Sequence, residues 1–188
     1  MLDGTTLPTI EADRLVLRWL TDADVPALFA VFSDPEVMRY WSHGPLPDMA
    51  AAADLLTRIH KHFAERTLFQ WGVALRETDE VIGTCTLSSL NPAHRRAEIG
   101  YALGRRHWGR GYMAEALPQL LRFAFGTLGL HRVEADVDPR NARSVRSLER
   151  LGFRREGLMR ERYHLGGELQ DALILGLLRS EAGSLAPA

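Results

Sequence analysis

The 188-residue sequence predicts a single mixed α/β domain, a sheet covered by helices. Three observations carry that expectation. Residues 14–20, RLVLRWL, alternate apolar and basic side chains, as a half-buried strand does. Residues 49–66 place Leu55, Leu56, Ile59 and Phe63 on one helical face. Residues 69–76 and 80–87 are two strand-like runs joined by Glu77-Thr78-Asp79, the pattern of a hairpin.

The remaining elements follow in order. Thr21-Asp22-Ala23-Asp24 supplies a helix start, and residues 25–32 read as a short helix with Pro26 in its first turn. Ser33-Asp34-Pro35-Glu36 punctuates the chain. Gly44, Pro45 and Pro47 make residues 42–48 a loop. After the hairpin, residues 91–95 form a polar link and residues 97–103 a strand. Residues 104–111 form a turn rich in arginine and glycine, and residues 112–128 a helix. A strand over 131–138, a helix over 142–151 closed by Gly152, and strands over 153–158 and 172–178 complete the domain. The predicted order, β-α-α-β-β-β-α-β-α-β-β, is not a regular βα alternation. One domain over 1–180 is expected, with a flexible tail over 181–188.

Composition narrows the function. The net charge of −1 creates no global field for nucleic acid or an anionic membrane, so neither is an expected partner. Cys85 is the sole cysteine, which excludes an intrachain disulfide and a cysteine-based zinc cluster; it reads as a small buried hydrophobe. Residues 1–5 lack the basic start and apolar run of a signal peptide, and no window has the roughly 18–20 apolar residues of a membrane span. A cytoplasmic location is the resulting expectation. His43, His60, His62, His94, His131 and His164 show no ligand spacing, so no metal is expected.

The most informative stretch is AEIGYALGRRHWGRGYMAEA, residues 97–116. A strand runs into Arg106-His107-Trp108-Gly109-Arg110-Gly111 and a helix begins at once. Glycines two apart let a backbone turn with positive φ and approach a ligand closely. The first turn of the next helix offers unpaired N–H groups at its positive end, where an anion is stabilised. Arg105, Arg106 and Arg110 add charge. A tight turn whose glycines serve only geometry is the simpler reading of a lone G-x-G, but strand, arginines and helix together favour phosphate binding. The spacing fits neither a dinucleotide fingerprint nor a Walker A loop.

These residues resemble the GNAT superfamily of acetyl-CoA-dependent N-acetyltransferases. Arg106-x-x-Gly109-x-Gly111 is similar to its [QR]-x-x-G-x-[GA] pyrophosphate loop. Arg14-Leu15-Val16-Leu17-Arg18, Ser33-Asp34-Pro35-Glu36-Val37-Met38, Glu98-Ile99-Gly100-Tyr101, Glu115-Ala116, Asn141-Ala142-Arg143-Ser144 and Leu151-Gly152-Phe153 resemble its ribosomal-protein N-terminal acetyltransferase branch. The resemblance spans nearly the whole chain. It implies a mostly antiparallel sheet in which strands 97–103 and 131–138 run parallel and splay apart, the first carrying a bulge. Acetyl-CoA would enter the gap as cosubstrate, its pantetheine along Tyr101, Ala102 and Leu103. Its pyrophosphate would lie on Arg106, His107, Trp108, Gly109, Arg110 and Gly111, with Asn141 and Ser144 touching it from the following helix.

The resemblance also implies direct transfer of the acetyl group to a primary amine, with a protein or peptide N-terminus, ribosomal protein included, as leading acceptor. Polyamines, aminoglycosides and amino-acid analogues are alternatives, as is a noncatalytic acyl-CoA-binding module, and the protein could be a monomer or a homodimer. Glu98 is the candidate base, against an ordinary strand carboxylate paired with Arg95 or Arg132. The resemblance implies a tyrosine as general acid on the helix after the second splayed strand, where this chain has Leu148. Ser144, one turn earlier, is the candidate group at the sulfur, against a serine that back-bonds within its helix. His107 is either an anion contact or merely exposed. Tyr40, Trp41, Trp71 and Tyr163 are candidates for the acceptor entrance, Trp71 rather for the core. Glu161, Glu168 and Asp171 either attract a cation or form a solvated face.

Overall fold

The alternating segments assemble into one eight-stranded sheet in the computed structural model, which describes residues 4–185. Its strands are β1 (Ile10–Glu11), β2 (Leu15–Arg18), β3 (Phe69–Leu75), β4 (Val81–Asn91), β5 (Arg96–Leu103), β6 (Arg132–Val137), β7 (Arg154–Leu165) and β8 (Glu168–Leu178). They lie in the order β1-β2-β3-β4-β5-β6-β8-β7, and only β5 and β6 run parallel. The helices are α1 (Val25–Phe32), α2 (Pro35–Met38), α3 (Met49–Ala64), α4 (Tyr112–Gly126) and α5 (Ala142–Arg150). The sequence expectation of a mixed, mostly antiparallel sheet flanked by helices is met.

Apolar side chains divide between the two faces because successive strand residues point to opposite sides. One cluster gathers Leu117, Leu120, Leu121 and Phe125 of α4 and Val145 and Leu148 of α5 with Trp71, Cys85, Leu87 and Ile99 from the strands. The other gathers Leu28, Val31 and Phe32 of α1 and Leu56 and Ile59 of α3 over Ala74, Val81 and Ala102. Residues 81–87 of β4, VIGTCTL, are buried throughout, on both faces of the sheet, with Thr84 and Thr86 among them. Gly83 lies so close to β5 that a Cβ there would run into the Ala102 carbonyl oxygen and the Leu103 Cα, both backbone. Gly83→Ala is therefore expected to cost about 2 kcal/mol, read as a lower urea midpoint.

The structure departs from the sequence reading at several points. β1 and α2 are too short for any periodicity and were not anticipated. The final hairpin is longer than expected, because β7 is exposed along nearly all its length and carries no burial pattern to read. The expected bulge in β5 is absent: its pairing with β4 runs unbroken from Glu98 to Leu103. The register shift falls instead between Ser88 and Asn91 of β4, where Ser89 has φ +51°. The segment read as the start of a flexible tail is packed, with Ala182 buried and Leu185 against the core; residues 186–188 lie outside the described residues.

The one parallel pair creates the site. β5 and β6 pair at Arg96–Arg132, Ala97–Val133 and Glu98–Glu134, and pairing then stops although β5 continues to Leu103 and β6 to Val137. Past Glu98 the strands diverge.

Candidate functional site

A cavity of about 480 Å3 opens where the strands separate, with Gln70, Glu98, Tyr101, Asp136, Asn141 and Ser144 in its wall. Glu98 and Tyr101 are three residues apart on one strand, so their side chains leave it on opposite faces. Glu98 faces the side of α1 and α3, and Tyr101 the side of α4 and α5.

Glu98 forms neither of the ion pairs considered for it. Arg132 is taken by Glu134 at 2.7 Å and by Glu156, and Arg95 donates to the Gly129 carbonyl at 2.9 Å. Its carboxyl is held above the usual carboxylate range, first by burial and then by the charge of Asp136 across the gap; Arg162 and Arg96 oppose this, and Glu134 adds to it. Asp136 itself accepts from Tyr163 Oη at 2.7 Å and meets Arg162 at 2.8 Å. Its involvement was missed, although Glu134, Asp136 and Asp138 recur at period two and mark one acidic strand face.

On the other face, Asn141 caps α5 by accepting the Ser144 N–H at 3.2 Å. Ser144 forms no back-bond into its helix. Its Oγ lies 2.8 Å from the Tyr101 hydroxyl, a partner that sequence spacing does not reveal. Leu148, at the position of the absent tyrosine, is fully buried.

The arginine and glycine turn leads from β5 into α4 outside this cavity. Gly109 has φ +75° and Gly111 φ +80°, the left-handed region that glycine adopts without cost. No side chain caps α4 at Gly111, so its first N–H groups remain available. Leu103 accepts the Trp108 indole N–H at 2.7 Å, Arg143 of α5 stacks on that ring at 5.3 Å, and Ala102 is buried beneath α1. Arg14, read from the sequence only as a strand residue of the resemblance, braces the loop: it pairs with Glu115 at 2.8 Å, donates to the Arg110 carbonyl at 3.2 Å and covers the Tyr112 ring. Arg106 is held by Glu80 and donates to His107 Nε2 at 2.9 Å. His107 is not exposed as one reading had it but only 7% accessible, and burial together with Arg106 lowers its pKa. Among the described residues no carboxylate pairs with Arg105 or Arg110. Positive-φ glycines, an uncapped helix start and unpaired arginines beside an open strand gap fit a diphosphate-bearing thioester.

Tyr40, Trp41, Tyr163 and Asp171 line the cavity, whereas Trp71 is core, its indole donating to the Pro8 carbonyl at 2.9 Å. Asp171 accepts the Glu161 N–H at 2.8 Å, and the side chains of Glu161 and Glu168 stay outside. Cys85 is fully buried, which pushes its thiol up to about 12 and removes it as a nucleophile. Among the described residues no cluster of His, Cys, Asp or Glu could hold a metal, and no helix is long and apolar enough to cross a membrane.

Comparison with known proteins gives this geometry a context. Residues 14–154 match the profile of the acetyltransferase (GNAT) domain. The chain is 38% identical over 175 residues to the uncharacterized N-acetyltransferase p20 of Bacillus licheniformis, covering 93% of this chain and 98% of that one. It is 28% identical to the [ribosomal protein uS5]-alanine N-acetyltransferase of Escherichia coli, over 89% of each. The structure of spermidine N-acetyltransferase from Vibrio cholerae, in complex with CoA and spermine, superimposes with a TM-score of 0.80 at 25% identity, covering 90% of this chain and 98% of that one.

Proposed function

The chain belongs to the GNAT acetyltransferase family, and from that premise we propose that it transfers an acetyl group from acetyl-CoA directly to the α-amine of a protein or peptide N-terminus. The observation that carries this reading is one cavity with a proton-accepting carboxylate on one face of the split sheet and a serine hydroxyl on the other. Acetyl-CoA supplies the activated acetyl group and a thiolate leaving group. Main-chain N–H groups around Gly109–Gly111 hold its diphosphate, and the parted strands receive its pantetheine. Glu98 takes the proton of the incoming ammonium, and its raised pKa makes it a stronger proton acceptor than an ordinary carboxylate. Ser144 faces the departing sulfur.

The charges around the cavity support a singly charged acceptor. Asp136 is neutralised by Arg162, Asp138 by Arg140 at 2.6 Å, and Asp171 accepts a backbone N–H. Glu98 alone among these lining carboxylates has neither an ion-pair partner nor a hydrogen-bond donor to its side chain among the described residues, so one ammonium is matched. A polyamine would also meet Arg58 and His62 of α3. Gln70 suits an amide that follows the amine: it is 7% accessible, lines the cavity, and its side chain has no hydrogen-bond partner among the described residues. The uS5-alanine enzyme acts on a ribosomal protein, in keeping with this reading, while the spermidine enzyme represents the competing class.

Acetyl-CoA turnover with short peptides, simple monoamines and spermidine, read by mass spectrometry, tests the proposal. Peptides are expected to be acetylated at their N-termini. Higher kcat/KM for spermidine would reverse the acceptor assignment, and absence of transfer to any amine would leave only coenzyme binding. Gln70→Leu is expected to lower kcat/KM for peptides roughly tenfold while sparing a monoamine that lacks the carbonyl.

A further inference from the structure

Ser144 behaves unlike the other helical hydroxyls of this protein. Ser147, on the same helix, bonds the Arg143 carbonyl at 2.9 Å, and Thr57 bonds the Ala53 carbonyl at 3.1 Å. Both satisfy themselves within their own helix, the ordinary outcome for such residues. Ser144 does not, and its Oγ is held from across the divided sheet by the Tyr101 hydroxyl at 2.8 Å. Tyr101 lines the cavity from β5, with its ring packed against the α4 and α5 core.

We propose that Tyr101 is a positioning residue for acetyl transfer: its phenol donates into Ser144 Oγ and leaves the serine's own proton aimed at the departing sulfur. The proposal rests on the acetyltransferase reading of the cavity. A serine has one proton and must spend it somewhere. Without the phenol, the lowest-cost acceptor is a carbonyl of its own helix. With Tyr101 as donor, the serine's lone pair is occupied, its rotamer is fixed away from the helix, and its O–H remains for the ligand. Asn141 fixes the Ser144 backbone at the same time. The Leu148 position carries no polar atom, so on this helix the hydroxyl facing the sulfur is that of Ser144, held in place from strand β5 by Tyr101.

The step balances without a further reactant. The amine nitrogen bonds to the acetyl carbon and the carbon–sulfur bond breaks, its electron pair passing to sulfur. The ammonium gives one proton to Glu98, which passes it to water, and nitrogen loses its second proton to water once the carbon–nitrogen bond has formed. Growing charge on sulfur is met by the Ser144 O–H until a water proton neutralises the thiolate. Tyr101 neither gains nor loses a proton. Burial pushes its hydroxyl up to about 12, so it remains a donor throughout the working range.

The same phenol oxygen lies 3.3 Å from the Ser144 carbonyl, so the opposite arrangement makes a contrary prediction. If Tyr101 donated there and Ser144 donated to Tyr101, removing the phenol would free the serine and leave the rate unchanged or higher. Tyr101→Phe is expected to lower kcat roughly tenfold to a hundredfold with coenzyme Kd by calorimetry unchanged. Ser144→Ala should lose at least as much, and the double variant no more than Ser144→Ala. A wild-type kcat in Tyr101→Phe, or multiplicative losses in the double variant, would overturn the proposal. A fluorinated tyrosine at position 101 preserves the fold while lowering the phenol pKa. It is expected to bring the alkaline limb of kcat to lower pH, and an unmoved limb would equally refute the donor role. Wild-type enzyme inactive towards every amine would refute the underlying reading instead.

Discussion

Glu98→Gln is expected to lower kcat/KM for amine acetylation by about 10²–10³-fold and to raise the thermal midpoint of the free protein. The two effects share one cause. The acceptor arrives as an ammonium, which has no lone pair with which to attack, and the described cavity offers Glu98 as the lining carboxylate whose side chain meets neither a cation nor a hydrogen-bond donor among the described residues. Its pKa lies above the usual carboxylate value because of burial first and Asp136 second. A carboxyl whose folded pKa exceeds its unfolded one makes the native state bind more protons. Stability therefore falls as pH rises from the ordinary value through the raised one, and the ionised group remains a cost above it. An uncharged amide removes that cost together with the base. A merely structural strand carboxylate would show the reverse, with activity preserved and stability unchanged or lower. The acidic limb of kcat/KM is expected above the ordinary carboxylate range. Asp136→Asn should move it to lower pH, since it removes a charge that raises Glu98 and frees Arg162, which lowers it. An acidic limb that stays in place would dissociate Glu98 from the proton transfer.

These expectations depend on contacts that the sequence reveals unevenly. The turn from β5 into α4 was legible because glycine spacing, local arginines and the onset of a helix are all consecutive signals. The buried run of β4 and the amphipathic α3 were legible for the same reason. Other features depend on the fold bringing distant residues together. Arg14 reaches Glu115 across 101 positions, and the Tyr101 phenol reaches Ser144 across 43. Nothing in either neighbourhood announces its partner. Asp136 was hidden differently: its acidic alternation is visible, but its effect on Glu98 requires knowing that β5 and β6 run side by side before they separate. The bulge was placed in β5 by the resemblance, and nothing in Ser88-Ser89-Leu90, which lacks a glycine, marks the positive φ that Ser89 adopts in β4.

Gly111→Val is expected to weaken CoA binding by at least about a hundredfold, equivalent to about 2.7 kcal/mol. Space is not the reason. A Cβ at Gly111 would meet only Arg14 Nη2, at an ordinary 3.6 Å. The obstacle is the backbone: φ is +80° at the residue that caps α4, a region that costs an L residue roughly 1–2 kcal/mol and suits a β-branched one least. Valine escapes by turning φ negative, which rotates the adjoining peptide planes and carries N–H groups away from the diphosphate. Each charge-assisted hydrogen bond lost there is worth about 1.5–3 kcal/mol, so losing one or two accounts for the expected weakening. Asparagine tolerates the left-handed region far better than valine. Gly111→Asn is therefore expected to retain coenzyme affinity within a few fold, despite a comparable side-chain volume. Calorimetric titration of both variants separates the causes: equal losses would place the effect in bulk beside the ligand, and an unchanged Kd in Gly111→Val would remove this turn from the coenzyme site.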